Sequence, residues 1–257
     1  MDFQTVLIER CGATGVVCLN RPEKLNALNG QMIREVRAAL EMLGGEEDVA
    51  VIIVKGAGRA FCSGKDLEDE YPDEVTARRE LEAAQAVTTT MLAVAKPIIA
   101  AIHGYALGGG CEWAMNCDLR IAAVGTKLGF PEITLGLTVT NAASKLLATL
   151  VGAGRAKQLI FTGEFIDAAK AEQWGLVNQV VPPDLLEDSA LRLAEKIAEN
   201  SSFALALAKR ALDSRAEQSV SAVLRAEIED AMRVAQNDNL SARFADRDGA
   251  KFELGDS

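Results

Sequence analysis

Three consecutive glycines stand between a short apolar run and a helix pattern, and they constrain this chain more than any other segment. The stretch reads Gly104-Tyr105-Ala106-Leu107-Gly108-Gly109-Gly110-Cys111-Glu112. Without Cβ atoms, its backbone can approach another group closely. A helix starting directly afterwards turns its unpaired N–H groups toward whatever fills the turn. Such donors suit a developing oxyanion. A second glutamate closes Gly129-Phe130-Pro131-Glu132. Two carboxylates near oriented N–H groups suit proton transfer beside a carbonyl and stabilisation of an enolate.

Around these segments the pattern alternates between strand and helix. Val6–Glu9 and Gly15–Asn20 read as two strands around a glycine turn. Met32, Ile33, Val36, Leu40 and Leu43 give helical spacing within Leu28–Leu43. Val49–Val54 is a short, continuous apolar run rich in β-branched residues and reads as a buried strand. Asp73–Ala95 reads as one long helix or a helix pair, Pro97–His103 as a buried strand, Cys111–Asn116 as a short helix and Leu119–Ala123 as a strand. Helices are expected over Asn141–Val151, Ala156–Phe161 and Asp167–Trp174, the last with Asp167 as its N-cap. Val177–Val181 reads as a strand stopped by Pro182-Pro183, and beyond Asp184 the pattern is helical. This gives an α/β core over residues 1–195 and a helical region over residues 196–257.

The chain's 257 residues suffice for a sizeable core. A net charge of −10 opposes a general nucleic-acid surface. No apolar run reaches the roughly 18 residues of a membrane span. Met1-Asp2-Phe3-Gln4 lacks a secretory pattern, and five cysteines without a C-x-x-C pair read as reduced thiols. A cytoplasmic location is therefore expected, without nucleic-acid or membrane partners. Neither Gly56-Ala57-Gly58-Arg59-Ala60-Phe61 nor Gly152-Ala153-Gly154-Arg155-Ala156-Lys157 completes a dinucleotide fingerprint. His103 is the only histidine, so a histidine metal cluster is excluded, and its place at a strand end reads as structural.

Five segments in order carry a family resemblance. They are Arg21-Pro22-Glu23-Lys24-Leu25-Asn26-Ala27-Leu28, Ala60-Phe61-Cys62-Ser63-Gly64-Lys65-Asp66-Leu67, Lys96–Ala101 with Gly104–Glu112, Gly129–Glu132, and Ala171–Val177 with Val180-Val181-Pro182. Together they resemble the crotonase (enoyl-CoA hydratase/isomerase) superfamily. The resemblance implies a spiral of ββα units, a C-terminal helical trimerisation region, and an acyl-CoA thioester substrate. It also implies a homotrimer or a dimer of trimers, with no separate cofactor and no metal. Carried over residue by residue, it makes Glu112 and Glu132 the acid–base pair. The backbone N–H groups of Lys65 and Gly109 become the oxyanion donors. Lys24, Ala27, Ser63, Asp66 and Leu67 fall where the family cradles CoA, and Pro131 where it shapes the acyl pocket. Phe244 and Phe252 fall where relatives often bring an aromatic near CoA.

Each residue also has a plainer reading. Glu112 would complement a helix N-terminus, and Glu132 would be an exposed loop acid. Lys24 would be solvated and Leu67 a core leucine. Lys65 reads equally as a CoA-phosphate contact or a surface lysine. Core packing is the default for Tyr105 and Trp113.

One departure from the family pattern stands out. Leu135-Gly136-Leu137-Thr138-Val139-Thr140-Asn141-Ala142-Ala143-Ser144 replaces the glycine-rich turn that follows the second acid in many hydratases. Thr138, Thr140 and Asn141 either cap the next helix or line an acyl pocket. Hydration of a 2-enoyl-CoA to a 3-hydroxyacyl-CoA is the leading expectation. The alternatives are double-bond isomerisation, another crotonase-type reaction, or a non-catalytic binding protein on the same fold.

Overall fold

The computed structural model describes residues 3–69 and 72–215. Two compact units divide the chain, Met1–Glu199 and Asn200–Ser257.

The first unit opens with β1 (Val6–Cys11) and β2 (Thr14–Leu19), followed by α1 (Gly30–Gly45), β3 (Val51–Gly56), α2 (Glu74–Ala93) and β4 (Ile98–Ile102). Then come β5 (Tyr105–Leu107), α3 (Gly109–Asn116), β6 (Leu119–Ala123), β7 (Lys127–Gly129), α4 (Ala143–Val151) and α5 (Ala153–Thr162). It closes with β8 (Phe165–Asp167), α6 (Ala168–Trp174), β9 (Gln179–Val181) and α7 (Leu186–Ala198). The main sheet has the order β1-β2-β3-β4-β6-β9. Its β1–β2 pair is antiparallel and its remaining pairs are parallel.

The parallel strands read as continuous apolar runs because both faces are covered. Ile52, Val54, Ile98, Ala100 and Ile102 face a core shared with the apolar stripe of α1: Met32, Ile33, Val36, Leu40 and Leu43. The alternate residues Val51, Ile53, Ile99, Ala101 and Ile121 face Leu186, Ala190 and Ala194 of α7. The segment expected as one long helix or a helix pair forms the single helix α2 (Glu74–Ala93), whose N-cap Asp73 accepts the Thr76 N–H at 2.7 Å. Asp167 caps α6 as expected, accepting the Lys170 N–H at 2.8 Å.

A second sheet, β5-β7-β8, was not legible in the sequence. Each strand has only three residues, too short to show a period. Cys62 bridges onto β5, with its N–H donating to Tyr105 O at 3.0 Å and its carbonyl accepting from Leu107 N–H at 3.0 Å. α4 begins at Ala143 rather than Asn141, because Asn141 (φ 46°) and Ala142 (φ 61°) are left-handed. Trp113 is buried as expected, whereas Tyr105 is 42% exposed because it starts a short strand. His103 Nε2 lies 2.9 Å from Gly58 O, a structural contact as expected.

In the second unit, α8 (Ser202–Arg215) is the described element and continues the expected helical pattern. Phe244 and Phe252 lie outside the described residues. Among the described residues, no helix is long and apolar enough to cross a membrane.

Candidate active site

The opening signature works by fastening two loops. Leu25 (φ 50°) and Asn26 (φ 55°) are left-handed, which Asn tolerates better than most residues. The buried Asn26 carboxamide donates to Ala57 O at 2.9 Å and Ala60 O at 2.8 Å, and its oxygen accepts the Arg21 N–H at 2.9 Å. Arg21 Nη1 reaches Ala27 O at 2.6 Å and Asp66 Oδ2 at 2.9 Å. The Leu28 N–H donates to Gly64 O and the Asp66 N–H to Leu28 O. Together these bonds anchor the Ser63–Leu67 segment.

The glycine turn then meets that segment. A Cβ on Gly110 would lie 2.4 Å from Cys62 O, so glycine is required for α3 to approach this strand. One on Gly64 would lie 3.5 Å from Gly109 N. Gly109 is the first residue of α3, where an N–H has no intrahelical acceptor. The Lys65 and Gly109 segments are therefore adjacent. Close approach here serves the protein as well as any ligand. At Gly108 (φ 50°), a Cβ would lie 2.7 Å from Glu132 Oε1, so its absence makes room for that carboxylate.

These segments border a cavity of about 420 Å³. Ser63, Lys65, Leu67, Gly109, Glu112, Pro131 and Glu132 all line it. Lys24, Ala27 and Asp66 are not among its lining residues. Lys24 is exposed, with Nζ 2.7 Å from Glu68 Oε2, a hydrogen bond and ion pair that raise its pKa. Ala27 is buried in the signature loop. Burial pushes the Asp66 carboxyl up, but bonds from Arg21 and the Glu68 N–H outweigh this and hold it below the ordinary range. Leu67 is 64% exposed at the cavity rim and is not a core leucine.

The two glutamates have contrasting surroundings. Glu112, in the first turn of α3, is 1% exposed. Its Oε1 accepts the Thr140 N–H at 2.6 Å, and its Oε2 accepts the Thr140 hydroxyl at 2.9 Å and Asn141 Nδ2 at 2.7 Å. Glu132 is carried on a 3-10 turn, Pro131–Leu135. Its buried Oε2 has no hydrogen-bond partner among the described residues. Burial pushes its pKa up to about 7, opposed by a hydrogen bond from its own backbone N–H and aided by the nearby Glu112 charge. Glu132 is thus not an exposed loop acid.

Other lining groups were missed in the sequence. Ile33 of α1 and Ala77, Leu81 and Ala84 of α2 supply apolar wall, and Glu80 adds a carboxylate. Ala77, Leu81 and Ala84 follow helical spacing, a legible signal, but nothing local says which cavity they face. Among the described residues, no group of three or more His, Cys, Asp or Glu is placed to hold a metal ion.

A profile of the enoyl-CoA hydratase/isomerase family matches residues 9–253. The chain belongs to this family. Within it, the chain is 42% identical over 221 residues to a probable enoyl-CoA hydratase of Mycobacterium bovis, covering 86% of each chain. It is 39% identical to a short-chain-enoyl-CoA hydratase of Clostridium acetobutylicum, covering 83% of this chain and 82% of that one. The fold matches the crystal structure of an enoyl-CoA hydratase from Bacillus anthracis with a TM-score of 0.91 at 35% identity, covering 95% and 96% of the two chains. The crotonase-type fold expected from the sequence is therefore the fold observed.

Proposed function

We propose that this chain is an enoyl-CoA hydratase, adding water across the double bond of a 2-enoyl-CoA to give a 3-hydroxyacyl-CoA. The observation that carries the reading is one cavity holding two carboxylates with opposite surroundings. Three donors converge on Glu112, which suits an acceptor-only carboxylate. Glu132 has a buried oxygen without a donor and a pKa near 7, which suits a neutral acid. The similarity to named hydratases supports the same reaction.

In this mechanism the N–H groups of Gly109 and Lys65 hold the thioester oxygen. Glu112 takes a proton from water as the water oxygen bonds to Cβ. The π electrons move toward the thioester, and charge gathers on its oxygen, where fixed donors are worth roughly 3–4 kcal/mol each. Glu132 delivers its proton to Cα as the enolate collapses. Exchange with solvent then returns both carboxyls to their starting states. Ser63 and Leu67 cradle the CoA arm, Pro131 shapes the acyl pocket, and Lys24, Ala27 and Asp66 support the loop that carries the arm.

The C-terminal helical region is assigned to trimer assembly. Exposed Ile133, Leu135, Phe161 and Phe165 add an apolar surface of the kind that partners cover. The free thiols of Cys11, Cys18, Cys62, Cys111 and Cys117 support a reducing, cytoplasmic compartment.

The test is loss of the enoyl-thioester absorbance with crotonyl-CoA and longer enoyl-CoAs, for wild type and for Glu112→Gln and Glu132→Gln. Turnover that collapses in both variants is expected. Double-bond migration from a 3-enoyl-CoA without hydration would overturn the reading in favour of an isomerase.

A further inference from the structure

We propose that Thr140 and Asn141 are positioning residues that fix the Glu112 carboxylate for water activation, braced from behind by Thr88 and Asn116. The inference rests on the hydratase reading and concerns the segment where this chain departs from the glycine-rich pattern.

An ionised carboxylate offers roughly four acceptor sites. Thr140 and Asn141 fill two on Oε2 and one on Oε1, leaving one on Oε1 for a water hydrogen. Donors on both oxygens prevent the carboxylate from rotating. Asn141 Nδ2 also reaches Thr140 Oγ1 at 3.1 Å, so the two side chains orient each other.

The orientation of the Asn141 amide is set from α2 and α3. Thr88 Oγ1 donates to Asn141 Oδ1 at 3.3 Å, which leaves Nδ2 to face Glu112. Asn116 Nδ2 donates to Thr88 Oγ1 at 3.0 Å and to Asn141 O at 3.1 Å. Thr88, Asn116 and Asn141 are all buried, where hydrogen bonds are strong, and Asn116 is held through Nδ2 while its Oδ1 has no partner among the described residues. The left-handed φ of 46° at Asn141 aims its side chain into this network.

A helix-capping role does not account for these side chains. The N-cap of α4 is Ala142, without a side-chain cap bond. The Thr140 hydroxyl and Asn141 Nδ2 turn instead to Glu112, a buried carboxylate that lines the cavity.

The test compares Thr140→Val, Thr140→Ser and Asn141→Gly with the wild type, using crotonyl-CoA and reading kcat and KM separately. Glycine tolerates the left-handed backbone at 141, so that variant removes the carboxamide without adding strain. Thr140→Val and Asn141→Gly are expected to lower kcat about 10- to 100-fold, as for a misplaced catalytic group, with KM within about threefold. Thr140→Ser restores the hydroxyl and is expected to return kcat to within about threefold of wild type. If Asn141→Gly does not fold, the Val/Ser pair decides. Wild-type hydration with unchanged kcat in Thr140→Val, or equal loss in Val and Ser, would overturn the inference and leave the hydratase reading intact. A wild type that hydrates no enoyl-CoA would overturn that reading, and the inference with it.

Discussion

Glu112 and Glu132 line one cavity, yet the protein treats them in opposite ways. Glu112 sits on a regular helix, and the segment before α4 supplies it with three donors. Glu132 sits on a 3-10 turn, and its buried Oε2 has no donor among the described residues. The same side chain therefore meets three donors in one place and, in the other, burial that raises its pKa. The difference comes from the surrounding groups rather than from the carboxyls themselves. Under the proposed hydration, this contrast assigns Glu112 to take a proton and Glu132 to give one.

The sharpest way to break the comparison is to remove either carboxylate. Glu112→Gln and Glu132→Gln should each lower kcat by about 10²–10⁴-fold in steady-state hydration assays, with little change in KM. The double variant should fall little below the worse single variant, because groups acting as a unit are non-additive.

Gly108→Ala should follow. Its Cβ would lie 2.7 Å from Glu132 Oε1 at a φ of 50°, so the carboxylate must move and the backbone is strained. We expect a kcat loss of about 10²-fold and a stability loss of about 1–3 kcal/mol, read by activity and by thermal melting.

The pH response sharpens the contrast further. With Glu132 as the acid and its pKa near 7, kcat should fall as pH rises past about 7. A carboxyl raised in the folded state stabilises fully below its unfolded value of 4.5, and this stability is lost as pH climbs through about 7. Glu132→Gln should thus melt above wild type at pH 8, an advantage that shrinks toward pH 4.5 in melts across that range.

Asp167→Ala serves as a control in a region outside the cavity lining. Losing the cap on α6 should cost about 1 kcal/mol in denaturant unfolding and leave kcat unchanged.

Much of the fold was legible because apolar runs and helical stripes are local signals. Val51–Gly56 and the α1 stripe announce themselves. The three-residue strands do not, since their pairing depends on distant partners such as Lys127–Gly129 with Phe165–Asp167. The same limit applies to the site. Glu112 and Glu132 stood out through their motifs. Their contrast did not, because it rests on Thr140 and Asn141, 28 and 29 residues from Glu112. Asp66 looked like a ligand contact in the motif, but it turns to Arg21 through a loop closure that sequence spacing does not reveal.

Carboxyl-carbon NMR of enzyme labelled at the glutamate side chain, titrated with pH, reads the contrast between the two glutamates itself. The spectrum of Glu132→Gln assigns the missing signal to Glu132. The account predicts a midpoint of about 7 for that signal in wild type, moving down in Glu112→Gln as the neighbouring charge is removed. A Glu132 signal that titrates near the ordinary glutamate value of about 4.3 in wild type, unchanged in Glu112→Gln, would contradict it.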